Sequence, residues 1–458
     1  MEFIAIDIGT SFTKGAIVDS ESLGIRGVRR MPGPARLIGS EPLFQEYSPL
    51  EFVESVTDIV AELLPSTSAC RGILLTGQMG GLVFCDNKGQ PLSPYVSWLD
   101  GRATLPHPGG KGTFIERLAV ELGERTSCVL GNEFRPGLPL SFLYWLKESQ
   151  QLRQFEGAIP VTLPDFVAAA LCQQKPVMEL TNAAGLVDVQ SSKLPFELFE
   201  ELKLNRLHWP TLVDFRHCVG EHKSSGSSLP VFAATGDHQC SLAGTLLQTG
   251  ELSVNIATGS QLTMLTEERH ANSYQLRPYF DGAYLKTITN IPAGRALSAM
   301  MKLLTEMTGA DVTNPKQAWD YFFQQAEQTP ESDININLAF FPGAVSGPGS
   351  LSNLREDNLT VGHVARACLE QMADYYHKLA AQLAPSKNWS NIVFSGGICQ
   401  QSDLLKQLIS TRLESKARAV TSSEDALFGM MVLGRVIGGL NATVAEATEH
   451  VSRHTTAD

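Results

Sequence analysis

Apolar and polar positions fall into two alternating kinds of run. Short continuous apolar stretches suited to buried strands open the chain at Phe3-Ile4-Ala5-Ile6-Asp7-Ile8 and return at 71–76, 82–85, 231–234 and 391–394. Apolar residues at helical spacing mark 49–64 and 138–148, and a further helix is expected over 403–413. The first half therefore reads as mixed α/β.

Two segments share one layout. The first strand turns at Gly9-Thr10-Ser11 into Lys14-Gly15-Ala16-Ile17-Val18, and the strand ending Asn255-Ile256 turns at Ala257-Thr258-Gly259 into Ser260-Gln261-Leu262-Thr263-Met264. One such tip is an ordinary hairpin turn, because Gly, Thr and Ser are common turn residues. Two at corresponding places in the two halves predict more. Glycine allows close backbone approach, and amides and hydroxyls at a turn donate to phosphate oxygens, so facing tips would clamp a polyphosphate. Lys-Ser-Ser-Gly-Ser-Ser-Leu at 223–229 reads as a loop, which places the boundary between domains 1–229 and 230–458.

With 458 residues, 43% of them hydrophobic and 18% charged, the chain exceeds what one core usually supports, and two domains are the default. A net charge of -12 with no long basic run argues against nucleic acid as a partner. The eight cysteines form no C-x-x-C pair, which signals neither a zinc site nor a disulfide framework. Glu2 and Asp7 lie where a leader's basic and apolar regions would be, so a cytoplasmic location is expected. The longest apolar stretch, 426–440, contains Arg435 and several glycines and reads as a buried helix rather than a membrane span.

Five motifs occur in order: Asp7-Ile8-Gly9-Thr10-Ser11-x-x-Lys14, Thr76-Gly77-Gln78-Met79-Gly80-Gly81, Trp98-Leu99-Asp100-Gly101-Arg102, Gly236-Asp237-His238-Gln239 and Ser395-Gly396-Gly397 with Ser402. Together they resemble the FGGY carbohydrate kinases, nearly end to end. The resemblance implies two RNase H-like α/β domains of the actin, hexokinase and Hsp70 type around a cleft, each with a five-stranded mixed sheet. It also implies an ATP-dependent kinase using Mg²⁺. Within the family the likeness is nearest to sedoheptulokinases, through Gly236-Asp237-His238-Gln239-Cys240-Ser241, Arg277-Pro278-Tyr279-Phe280 and the run from Leu359 to Ala367. The implied reaction is phosphorylation of sedoheptulose at its terminal hydroxyl, with xylulose or another pentulose as the alternative. Gly80 stands where the ketose kinases usually carry His, which keeps that alternative open. A non-catalytic, actin-like nucleotide-binding protein is the rival from another class, and a homodimer is the oligomeric expectation.

Phosphoryl transfer requires positioning, groups around the moving phosphoryl, and an acceptor for the hydroxyl's proton. Asp237, after a buried strand and at a probable helix start, suits a base, although an Asp there is ordinarily an N-cap. By resemblance Asp237 is that base, Asp7 holds Mg²⁺, and Gly9, Thr10, Ser11, Lys14, Thr258 and Gly259 address the nucleotide phosphates. Gly396 and Gly397, with Gly294, Ser298 and Gln401, are placed on the nucleotide. Gln78, Met79, Trp98, Asp100, Arg102 and His238 are placed with Asp237 on the sugar. The alternative for Trp98, Asp100 and Arg102 is a core Trp beside an Asp–Arg ion pair.

Overall fold

The computed structural model describes residues 1–38, 41–224, 226–306, 315–420, 422 and 424–455. Its first sheet contains β1 (Glu2–Ile8), β2 (Phe12–Asp19), β3 (Gly24–Pro32), β4 (Cys70–Gly77), β5 (Cys218–Ser224), β6 (Ser227–Phe232) and β7 (Thr235–Gly236). The order is β5-β6-β4-β1-β2-β3, with β7 also pairing β4. The second sheet contains β8 (Glu251–Ile256), β9 (Ser260–Thr266), β10 (Gln275–Pro278), β11 (Tyr284–Ile291), β12 (Asn391–Ser395) and β13 (Lys416–Arg418), ordered β10-β11-β9-β8-β12-β13.

The two sheets repeat one plan. In each, a hairpin extends to a third antiparallel strand on one side, and two parallel strands follow on the other: β3-β2-β1-β4-β6 corresponds to β11-β9-β8-β12-β13. The expected five-stranded core is present twice. Strands β5 and β7 enlarge the first copy and β10 the second.

Helices α1 (Pro49–Leu63), α2 (Leu163–Cys172), α3 (Asp237–Gly244), α4 (Gly294–Glu306), α5 (Val361–Leu383), α6 (Asp403–Leu413) and α7 (Asp425–Ile437) cover the sheets. Strand β1 is apolar throughout its centre because both of its faces are covered. Ile4, Ile6 and Ile8 point to the side of α1 and α2, where Phe52, Val56 and Phe166 meet them. Phe3 and Ala5 point the other way, towards α3 and α7. That second cluster also takes in Leu285 and Val393 from the other sheet, so α3 and α7 lie between the two lobes and belong to both. In the second lobe, Leu252, Val254 and Ile256 of β8 share a core with Cys368, Met372 and Tyr376 of α5.

Helices α3 and α7 touch backbone to backbone. A Cβ on Gly244 would lie 1.8 Å from the Asp425 carbonyl oxygen, and one on Gly429 would lie 1.9 Å from that of Cys240. The 426–440 stretch contains the buried helix expected, α7, with Leu427 to Val436 enclosed; the helix ends at Ile437, and Gly439 and Leu440 lie beyond it on the surface. No helix among the described residues is long and apolar enough to cross a membrane.

The boundary drawn at 229/230 is corrected: strand β6 runs through it, pairing antiparallel with β5 and, through Val231, parallel with β4. The Ser/Gly run resembles a linker in composition, but it is a hairpin connection with Gly226 at φ +80°. The chain leaves the first sheet only after Gly236, where α3 starts. Between β4 and β5 the chain builds an additional cluster around Leu82, Phe114, Leu143 and Phe199, and the same segment supplies Gln78, Met79, Trp98 and Arg135 to the cleft described next.

Candidate active site

The two hairpin tips border one cleft of about 400 Å³, lined from the first lobe by Thr10, Gln78 and Trp98 and from the second by Asn255, Gly259 and Ser395. Around the first tip, Gly9 N donates to the Phe12 carbonyl, Trp98 Nε1 donates to Thr10 Oγ1 at 3.1 Å, and Thr10 Oγ1 lies 3.4 Å from Gln78 Oε1. The second tip is braced from behind: Gly294 N and Arg295 N, at the start of α4, donate to the carbonyls of Ala257 and Thr258. A Cβ on Gly259 or Gly397 would meet nothing within 4 Å, whereas one on Gly396 would lie 2.4 Å from the Ile256 carbonyl oxygen. The backbone at 259 and 397 is thus open to a ligand, and Gly396 (φ +91°) is required by its neighbours.

Asp237 stands on the cleft wall as the first residue of α3. Gly236, not Asp237, is the N-cap, and the Asp237 Oδ1 accepts the His238 amide at 2.8 Å. Burial pushes the Asp237 carboxyl up to about 6, against the opposing pull of the His238 amide, the Arg277 charge and the Met79 amide. Its support is a buried polar network. Gly236 N donates to Thr181 Oγ1 at 2.8 Å, the Thr181 hydroxyl donates to Glu179, and Asn182 Nδ2 donates to the Ala234 carbonyl and to Asp165. Burial raises Asp165 to about 7 and Glu179 to about 8, so both hold their protons far above the ordinary carboxyl range.

Asp7 sits at the end of β1, opposite Lys14 in the hairpin register. Burial first, then the Asp237 charge, push its carboxyl up to about 7, with Lys14 pulling the other way and Glu424 adding to the rise. The Asp7 carboxyl makes no hydrogen bond among the described residues. A desolvated carboxylate that feels a second one fits a hard divalent cation, which takes one or two protein carboxylates beside substrate phosphates. No group of three or more His, Cys, Asp or Glu suited to a metal occurs among the described residues, so protein ligands alone do not form a cage.

The sequence-expected residues divide. Thr10, Gln78, Met79, Trp98, Asp237, His238 and Gly259 line the cleft. Asp100 and Arg102 do not, and the sugar-binding role given to them is corrected. Asp100 is 1% exposed and bonds the Arg102 amide and guanidinium and the Gln45 amide, while Arg102 also reaches Glu46 and lies over Phe44. The pair braces the loop that presents Trp98. Lys14 is engaged by Glu424 at 3.0 Å, and Arg30 binds the same carboxylate. Ser11, Thr258, Ser298 and Gln401 are exposed and stand outside the cleft lining.

His238 has both ring nitrogens occupied: Arg277 Nη1 donates to Nδ1 at 3.1 Å, and Nε2 lies 3.3 Å from Thr263 Oγ1. Burial, with the Arg277 and Arg135 charges, holds it well below the usual range, so it is a neutral ring. Arg277 and Arg135 line the cleft and carried no site assignment from sequence, as did Glu424 and Asp425 near the first tip. Arg277 fell inside a quoted motif, but no local signal marks Arg135. Its loop reaches the cleft through contacts distant in sequence.

A profile of the FGGY family of carbohydrate kinases, N-terminal domain, matches residues 3–244. The xylulose kinase of Bacillus subtilis (strain 168) is 22% identical over 483 aligned positions, covering 99% of this chain and 92% of that protein. Among solved structures, the xylulose kinase from Rhodospirillum rubrum superposes with a TM-score of 0.82 at 19% identity, covering 100% of this chain and 98% of that one. The gluconate kinase from Lactobacillus acidophilus gives 0.81 at 18%, covering 98% and 91%. Two mixed α/β sheets around a tip-lined cleft are the two-domain, actin- and hexokinase-like plan of sugar kinases. The chain belongs to the FGGY family of carbohydrate kinases and is an ATP-dependent phosphotransferase acting on an alcohol group.

Proposed function

We propose that the protein phosphorylates the terminal hydroxyl of an open-chain ketose, with Asp237 as the general base. The observation that carries this reading is one buried carboxyl, raised to about 6, on the cleft wall between the two hairpin tips. Such a group is ionised at neutral pH yet close enough to it to take a proton as the hydroxyl attacks. The rival reading of a non-catalytic nucleotide-binding protein gives no reason for this placement.

Gly9, Thr10 and Ser11 on one tip and Thr258 and Gly259 on the other would hold the nucleotide phosphates. Gly396 and Gly397 would admit the adenosine, with Gly294, Ser298 and Gln401 around it. Asp7 would hold Mg²⁺, which supplies charge neutralisation across the phosphates when bound. Trp98, Met79 and Gln78 form the wall against which the sugar would lie. The relatives named as xylulose kinases favour a pentulose, and the sedoheptulose reading finds no support in them.

An ADP-release assay with Mg-ATP across D-xylulose, D-ribulose, sedoheptulose, glycerol and gluconate tests the proposal. One sugar should stimulate turnover, and Asp237→Ala should lower kcat by about 10²–10⁴-fold while the variant stays folded. Near-normal turnover in that variant would remove Asp237 from the mechanism.

A further inference from the structure

Two arginines, Arg135 and Arg277, line the cleft beside Asp237: the Asp237 charge acts on Arg135, and the Arg277 charge pulls on the Asp237 carboxyl. Among the described residues, the carboxylate in ion-pair contact with both arginines is Glu133, which takes the Arg277 Nε through its Oε1. Glu133 Oε2 has no hydrogen bond, because Arg135 Nε stops at 3.9 Å from it, too far for one. His238 accepts from Arg277 at Nδ1, so it is neutral and adds no counter-charge. Two guanidinium groups thus share one carboxylate. Arg135 donates no side-chain hydrogen bond among the described residues, although it lines the cleft.

The placement of Arg135 is built into the backbone. Gly81 N donates to the Gly137 carbonyl at 2.9 Å, and a Cβ on Gly80 (φ +79°) would lie 2.8 Å from the same oxygen. Gly137 in turn lies where a Cβ would be 2.0 Å from the Trp98 carbonyl oxygen. The loop bearing Arg135 is therefore seated on Gly80 and Trp98, the same wall on which the sugar is proposed to lie. A planar, permanently charged fork that spends no side-chain hydrogen bond on the described residues matches a carboxylate or a phosphate better than a neutral hydroxyl.

We propose that the preferred acceptor is an anionic open-chain sugar whose terminal carboxylate or phosphate docks on Arg135, supported by Arg277, while its far hydroxyl meets Asp237. The proposal rests on the kinase reading of this cleft. It keeps the phosphoryl transfer and the base, moves the preferred acceptor from a neutral ketose to an anionic open-chain sugar, and makes a neutral ketose the poorer acceptor.

The test compares kcat/KM with Mg-ATP for neutral sugars (D-xylulose, sedoheptulose), carboxylates (D-xylonate, D-gluconate) and a phosphate (D-ribulose 5-phosphate), for the native protein and for Arg135→Gln and Arg135→Lys. At least one anionic sugar should exceed every neutral one, and the better of the carboxylate and phosphate arms names the group. Arg135→Gln should raise KM for that sugar by about 10–100-fold, a loss at least about tenfold larger than for any neutral sugar, while Arg135→Lys restores part of the loss. A neutral ketose outperforming every anion in the native protein overturns the proposal even if the variants do not fold, and leaves the kinase reading intact. An equal loss on all sugars in Arg135→Gln also overturns it. Turnover with none of them removes the open-chain ketose reading and this proposal together.

Discussion

Asp7 and Asp237 both have raised affinities for protons, and the Asp237 charge adds to the rise at Asp7. Asp237 must be ionised to accept a proton, so kcat/KM for the sugar is expected to fall as pH drops through about 6 and to level off above it. A pH–rate profile checks this, and a limb that persists unchanged in Asp237→Asn would assign it to another group. At this scale the sequence spoke through motifs. Asp237 and the Gly-Thr-Ser tips were legible because short strings of residues specify them. Asp100 and Arg102 misled, because their spacing shows that they can pair but not that the pair turns inward, away from the cleft. Gly80 is explained only in three dimensions. Gly80→His would force a Cβ to within 2.8 Å of the Gly137 carbonyl oxygen at a positive φ, so it should destabilise the protein or displace the Arg135 loop rather than restore a sugar contact. Thermal unfolding together with the KM for the sugar separates those outcomes from a neutral replacement.

Among elements, the short helix α3 depends on two supports. One is the buried network beneath Gly236. Asp165 and Glu179 bind protons more tightly folded than unfolded, so their contribution is fully present below the ordinary carboxyl range. It declines as pH rises towards their folded values of about 7 and about 8. Asp165→Asn keeps an acceptor for the Glu179 and Asn182 donors and removes that titration. Denaturant midpoints measured from pH 4 to 8 should therefore fall less with rising pH in the variant than in the parent, and parallel curves would count against the assignment. The other support is the glycine contact with α7. Gly429→Ala places a methyl 1.9 Å from the Cys240 carbonyl oxygen and is expected to cost roughly 1–3 kcal/mol of stability and to impair turnover, since α3 carries Asp237. Chemical denaturation and steady-state kinetics read both effects. The helix at 426–440 was legible from its apolar run, but its glycines gave no hint of what approaches them.

For the molecule as a whole, the repeated hairpin made the two-lobed plan readable from sequence, because each tip follows an apolar strand in the same way. The boundary was not readable. Lys-Ser-Ser-Gly-Ser-Ser has the composition of a linker, and only the pairing of β6 with β4 and β5 shows that it closes a hairpin inside the first sheet. Arg135 was equally hidden, since its value comes from seating the 131–137 loop on Gly80 and Gly81, far away in the chain. If the two tips hold one polyphosphate, sugar plus a non-hydrolysable ATP analogue should reduce the radius of gyration in solution scattering as the lobes draw together. An unchanged profile would argue for a rigid cleft.

The bare contact between α3 and α7 bears on how such a motion would run. With no side chain between the two backbones, the pair has no soft layer to compress, and in a closing motion it would act as a fulcrum. The lobes would then swing about it rather than slide through it. Asp237 sits at the pivot, so the base would hold still while the second tip travels, and the phosphoryl donor would be brought to a proton acceptor already in its final position.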